Sequence, residues 1–209
     1  MSERTTFVCA IESGRLEDET LLMVRSLRTF GGSLADTPVM AVLGRRGPAL
    51  RPDIREQLEQ LGVAIIQAPA GENRYPWFGY SNKIMAIRTA DRLAKTPTVT
   101  WLDSDILIAA APTGLLLSED EDFAARTEPL NAAVTSEDRR NENYWIALCD
   151  LVGVDYARLP WVSDDAGTRA GDRLAYFNSG VFSWRRASGF ADAYVAAFWL
   201  SLIHISEPT

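Results

Sequence analysis

The sequence predicts a parallel, layered α/β domain, and three observations carry that prediction. Short apolar runs rich in β-branched residues alternate with segments of helical period over the first half of the chain. Two of the helical segments open on acidic residues or proline and stop at glycine, the polarity a helix dipole favours. Two carboxylates, Asp103 and Asp105, interrupt the apolar run 98–111 (TVTWLDSDILIAAA), where the fourth strand in order leaves the core. In open α/β sheets, ligands bind outside the carboxyl ends of the strands.

Taken in order, residues 5–11 read as the first strand, followed by the turn Glu12-Ser13-Gly14. Residues 16–30 form a helix with Leu16, Met23, Leu27 and Phe30 on one stripe. Glu17, Asp18 and Glu19 open it, Arg25 and Arg28 close it, and Gly31-Gly32 stop it. Residues 38–43 (PVMAVL) are a second buried strand, ending in the polar loop Gly44-Arg45-Arg46-Gly47. Pro52 begins a short helix carrying Ile54, Leu58 and Leu61, with Gly62 as its stop. Residues 63–66 are a third strand. An aromatic loop over 68–82 precedes a helix over 81–95, which feeds the Asp-Ser-Asp strand. Beyond Pro112 the pattern loosens into a short strand at 123–126, a helix over 144–152 and an acidic loop at 160–172. Two apolar pieces then flank Asn178-Ser179-Gly180, and a last helix covers 188–199. No repeat or linker interrupts the chain, so residues 1–199 read as one domain.

Composition bounds the function classes. The 209 residues suffice for a substantial core, and 47% hydrophobic with 23% charged residues is ordinary for a globular enzyme. A net charge of −7 argues against a nucleic-acid binder, which needs a basic face. No run is long enough to span a bilayer, and the N-terminus lacks the layout of a secretion signal, so a cytoplasmic location is expected. Cys9 and Cys149 sit among apolar neighbours and read as reduced core residues, with a disulfide or a catalytic thiol as the alternatives. The last ten residues, LSLIHISEPT, resemble the in-frame translation of a sequencing-library adaptor. On that reading His204, the only histidine, is not native, and the natural chain continues differently beyond Trp199.

The chemistry concentrates on Asp103 and Asp105. Charges inside a buried strand are expensive unless paired or bound to a cation. Residues i and i+2 of an extended chain share a face, so both carboxylates can converge where the strand ends. Oxygen ligands with open positions for phosphate suit a hard divalent ion. The bland alternative is a strand end at which Asp103 caps the following turn.

With these elements in place, TWLDSDIL, the preceding SNKIMAIRTA helix and the later YFNSGVF segment resemble glycosyltransferases of the GT-A fold. The similarity is to the glycogenin-like and lipopolysaccharide-galactosyltransferase-like branch. It implies a Rossmann-like, mixed and mostly parallel sheet flanked by helices, here truncated at its C-terminus. It further implies that Asp103 and Asp105 hold Mn²⁺ or Mg²⁺ against the diphosphate of a nucleotide-sugar, with UDP as the expected carrier. Ser104 lies where relatives touch the ribose or the metal shell, and Lys83 where they contact donor phosphates. Asn178, Ser179 and Gly180 match the element lining the donor-sugar site, for which a β-turn is the alternative. Ala10, Ile11 and Glu12 stand where relatives bind the nucleobase. The acceptor is expected to be a hydroxyl of a glycan, lipid or protein, with Asp164 and Asp165 as candidates for its catalytic base. Tyr75 and Trp77 either stack on a sugar or base or pack in the core. Two departures stand out: the interval from Asp105 to Asn178 exceeds glycogenin's, and the downstream segment supplying a third metal ligand, often His, is absent.

Three rivals remain at this point. A phosphatase using Asp-x-Asp would make Asp103 a nucleophile, but its motif belongs near the N-terminus. A nucleotidyltransferase needs a glycine-rich basic loop after the first strand, and Glu12-Ser13-Gly14-Arg15 matches poorly. A nucleotide-sugar binder without turnover would share every motif above.

Overall fold

A computed structural model describes residues 5–127, 134–135, 138–163 and 172–206, the last four by backbone only. The strands are β1 (Thr5–Ala10), β2 (Val39–Leu43), β3 (Val63–Gln67), β4 (Thr98–Leu102), β5 (Phe123–Thr127), β6 (Trp161–Val162), β7 (Arg173–Leu174) and β8 (Phe177–Arg185). The α-helices are α1 (Arg15–Phe30), α2 (Pro52–Gln60), α3 (Ser81–Leu93), α4 (Glu142–Val152) and α5 (Phe190–Ser206). A six-stranded sheet has the order β3-β2-β1-β4-β8-β5, and β6 and β7 form a separate two-stranded sheet. β1 pairs in parallel with β2 and β4, β2 with β3, whereas β8 is antiparallel to β4. The mixed, mostly parallel sheet and its helices are the expected α/β architecture. The chain forms two compact units, Met1–Ala125 with Ser179–Val195, and Arg126–Asn178 with Ala196–Thr209.

In the first unit the period-2 alternation of β1 divides the core. Phe7, Cys9 and Ile11 join Val24 and Leu27 of α1 and Ile54 and Leu58 of α2 in one buried cluster. α3 packs on β1 and β2, and its Ile84, Met85 and Ile87 are fully buried. A chain of hydroxyls crosses the sheet from Thr5 to Thr100 (3.0 Å) to Ser183 (2.8 Å) and ends on the carbonyl of Leu115 (2.6 Å). These buried polar atoms are therefore satisfied, as interior hydroxyls must be. Glu17, 1% exposed, accepts the backbone N–H of Gly14 at 2.9 Å and that of Arg51. Gly14 is the N-cap of α1 and Arg51 that of α2, so one buried carboxylate ties two helix starts together. The second unit holds α4, closed by Gly153 in the left-handed conformation (φ 71°), and the small β6–β7 sheet. Trp145 meets Tyr176 edge to face at 5.9 Å there.

Three sequence expectations change. Residues 98–111 are not one strand, because β4 ends at Leu102 and a turn follows, closed by Ile106 N–H on the Asp103 carbonyl (3.2 Å). The apolar residues beyond it form a loop rather than strand: Ile108 is buried and donates its N–H to Ser26 of α1 at 2.9 Å. Asn178-Ser179-Gly180 is no turn but lies inside β8, just before the residues Val181 to Arg185 that pair with β4, so the strand runs through a stretch of turn composition. The last helix also runs on to Ser206, past the expected end at Trp199. Cys9 and Cys149 are both free and buried. Burial pushes the Cys9 thiol up to about 12, so it carries no thiolate for catalysis at neutral pH.

Candidate functional site

Strand order reverses between β1 and β4, since the chain runs outward to β3 on one side and onward through β4 on the other. Ligands bind at such a switch point. A cavity of about 200 Å³ opens there, lined among others by Ala10, Glu12, Lys83, Asp103, Ser104 and Asp105.

β4 is buried along its whole length, so the first polar side chain after it stands at the rim. Asp103 is fixed by its N–H, which donates to the Gly180 carbonyl of β8 at 2.8 Å. Its Oδ1 accepts from the Trp101 indole N–H (2.7 Å) and from Lys83 Nζ (3.0 Å). Its Oδ2 has no hydrogen bond or ion pair among the described residues, nor has either oxygen of Asp105. What joins the two aspartates is the turn, not the i, i+2 alternation of a strand. Lys83 comes from the first turn of α3 and reaches across the Trp101 ring, 4.9 Å from its centroid. Its ammonium also donates to the Ser179 carbonyl. With a side chain only 14% exposed, Lys83 is pulled below the ordinary lysine value by burial, which Asp103 and Asp105 partly oppose. It is not the solvated surface lysine that its position on an amphipathic helix allows.

The other expected residues divide. Ser104 is buried and donates its hydroxyl to the Ala10 carbonyl at 2.6 Å, so it clamps the aspartate turn to the end of β1. The Ile11 side chain is fully buried in the core cluster. Glu12 lines the cavity, with Oε2 accepting from Arg45 Nε (3.1 Å) and Nη2 (2.5 Å) and from Asn82 Nδ2 (3.3 Å). Ser179 and Gly180 belong to the same unit as the aspartates, and Asn178 to the other. Asp164 and Asp165 fall outside the described residues. Trp77 and Tyr80 are 66% and 71% exposed, which sets aside core packing for Trp77, and Tyr80 lines the aspartate cavity.

Sequence reasoning missed Asn82 and Gly44. Asn82 is buried, and its Oδ1 accepts the Gly44 N–H at 2.7 Å while its amide N–H reaches Glu12. Gly44 leaves the room for this: a Cβ there would stand 2.5 Å from both the backbone and side-chain oxygens of Asn82. The only signal in the sequence is a glycine directly after a strand, which many loops share.

The donor set fits a divalent cation of the Mg²⁺ or Mn²⁺ kind. Such ions take one or two protein carboxylates and complete their shell with substrate phosphate and water. Asp103 Oδ2 and the exposed Asp105 carboxylate offer that set at the mouth of the cavity. No group of three or more His, Cys, Asp or Glu side chains arranged for a metal occurs among the described residues, so protein ligands alone do not close a shell here.

The sequence matches the Rhodobacterales glycosyltransferase domain over residues 7–202. The structure is similar to core-mannan synthase A of Aspergillus fumigatus in its Mn/GDP form, with a TM-score of 0.54 at 9% identity, covering 93% of this chain and 63% of that one. It is also similar to the mannosyltransferase Ktr4p of S. cerevisiae in complex with GDP, with a TM-score of 0.52 at 9% identity, covering 95% of this chain and 61% of that one. At such identity the likeness shows the shared GT-A fold alone. The chain spans less than two thirds of the length of either structure. No curated protein sequence matches it.

Proposed function

Because the chain belongs to the Rhodobacterales glycosyltransferase domain family, we propose that it transfers a sugar from a nucleoside-diphosphate sugar to an acceptor hydroxyl with the help of Mn²⁺ or Mg²⁺. The observation that carries this reading is the placement of Asp103 and Asp105 with Lys83 around one cavity at the β1/β4 switch point. When bound, the cation supplies a Lewis acid that neutralises charge on the departing nucleoside diphosphate.

The chain's own residues prepare the site for that charge. Trp101 and Lys83 hold one oxygen of Asp103, which orients the other outward without a rotamer search when a ligand arrives. Ser104 fixes the turn to β1, and the Asp103–Gly180 bond fixes it to β8, so backbone on both sides defines where the carboxylates stand. Lys83 places a positive charge beside them, in a partly desolvated position where it acts more strongly on phosphate than a surface lysine would. The carbonyl of Ser179 receives the same ammonium, which links β8 to the donor pocket. Asn178 and Gly180 are proposed to meet the donor sugar, and Asp164 or Asp165 to serve the acceptor. Among the described residues, no helix is long and apolar enough to cross a membrane.

The test is calorimetric titration with Mn²⁺ and a panel of nucleotide-sugars, alongside release of nucleoside diphosphate. Asp103→Asn and Asp105→Asn should each weaken metal-dependent donor binding by more than about a hundredfold while the circular dichroism spectrum is kept. A variant that binds the donor with Mn²⁺ as tightly as the parent would sink the assignment.

A further inference from the structure

We infer that the base of the donor is guanine, seated in a basic cavity that shares Glu12 with the aspartate site. This rests on the nucleotide-sugar reading above and adds the base to it. The cavity, of about 470 Å³, lies at the carboxyl ends of β1, β2 and β3 and is lined in part by Glu12, Arg45, Arg46, Arg55 and Gln67. That volume is within the range of sites that enclose a small organic ligand. Because Glu12 and the turn after β1 line both cavities, a ligand with its diphosphate at Asp103 and Asp105 can extend its nucleoside past Glu12 into the basic one.

The polar groups left over there discriminate between bases. Arg45 and Asn82 engage only Oε2 of Glu12, which orients the carboxylate and leaves Oε1 without a partner among the described residues. Gln67 donates its amide N–H to the Leu43 carbonyl at 2.7 Å, so its own oxygen remains an acceptor. Arg46 is exposed and makes no hydrogen bond or ion pair among the described residues. The cavity thus combines fixed acceptors with an uncommitted guanidinium fork. Guanine matches that combination: N1–H and the 2-amino group donate along one edge, and O6 with N7 accept an arginine along another. Uracil offers a single N–H flanked by two carbonyl oxygens, which a carboxylate repels. Adenine turns the lone pair of N1 toward the same carboxylate. The sequence resemblance favoured uridine; the cavity's chemistry favours guanosine.

The experiment titrates the full chain, with Mn²⁺ present, against GDP, inosine diphosphate and UDP. Inosine diphosphate differs from GDP only by lacking the 2-amino group. GDP should bind about tenfold or more tighter than UDP and about tenfold tighter than inosine diphosphate. Glu12→Ala should bring the ratio of GDP to inosine diphosphate close to one, and a ratio taken within one protein cancels any common loss from folding. Arg46→Ala, at an exposed position, should weaken GDP and inosine diphosphate together and leave UDP unchanged. UDP binding as tightly as GDP overturns the guanine assignment and leaves the transferase reading standing. A Glu12→Ala protein that keeps the parent's ratio overturns the role given to Glu12. Failure of all three nucleotides to bind removes the donor reading and this inference together.

Discussion

Gly44→Ala is the substitution for which the structure gives the firmest expectation. The new methyl would stand 2.5 Å from the carbonyl oxygen of Asn82, 2.5 Å from its Oδ1 and 2.9 Å from its Cα. Two of those three atoms are backbone of the first turn of α3, which cannot swing aside as a side-chain tip would. Overpacking of this kind costs about 1–3 kcal/mol. Relieving it by turning Asn82 away breaks the 2.7 Å bond to the Gly44 N–H and leaves a buried amide unpaired, which adds about 1–3 kcal/mol. The expected loss is about 2–5 kcal/mol, or a fall in Tm of about 5–15 °C for a chain of this size. Urea denaturation at constant m-value measures it. Donor binding should fall as well, because Asn82 holds Glu12 and precedes Lys83. Gly47→Ala in the same loop is the control, since a Cβ there meets nothing within 4 Å, and it should change stability by less than about 0.5 kcal/mol. Equal stability of the two variants would refute the packing argument.

Two further predictions concern buried charges. Glu17→Ala removes the acceptor for the N–H groups of Gly14 and Arg51 and should destabilise the protein by about 2–4 kcal/mol in chemical denaturation; a change below about 1 kcal/mol would show that water replaces the carboxylate. Lys83 binds its proton less tightly when folded than when unfolded, because burial disfavours the ammonium. The unfolded chain therefore holds more protons between the lowered value and the ordinary lysine value of 10.5, and stability should rise with pH through that window. In chelator-treated buffer the rise should be larger in the parent than in Lys83→Met; parallel pH profiles would mean that the lysine is solvated.

How far the sequence could be read depended on the range of each interaction. Strands β1 to β4 and helices α1 to α3 were legible because period, charge order and stop residues are local. Asp103 and Asp105 were legible because charge is conspicuous in an apolar run, although a turn after Leu102 places them rather than the strand alternation that first drew attention to them. The partners of Asp103 were not legible. Trp101 stands only two positions away, but Lys83 of α3 and Gly180 of β8 reach Asp103 through the fold, and no spacing marks them as its neighbours. The resemblance placed Ser104 where relatives touch the ribose or the metal shell, and no local signal showed that its hydroxyl reaches Ala10, 94 positions away. Asn178-Ser179-Gly180 has the composition of a turn, and nothing in its own residue types shows that it lies within β8.

The antiparallel placement of β8 beside β4 also bears on how the protein is made. Until β8 arrives, β4 is an outer strand of the parallel sheet, with its buried residues and its backbone groups open on one side, the condition that invites pairing with other chains. Gly180, which receives the Asp103 N–H, leaves the ribosome roughly 80 residues later, about 4–15 s at ordinary rates of synthesis. During that interval the acidic turn exists on the nascent chain without the strand that fixes it. Aggregation during expression should therefore be governed by how soon residues 177–185 follow β4, and a peptide of that segment supplied during synthesis should raise the yield of soluble protein from chains stalled before it.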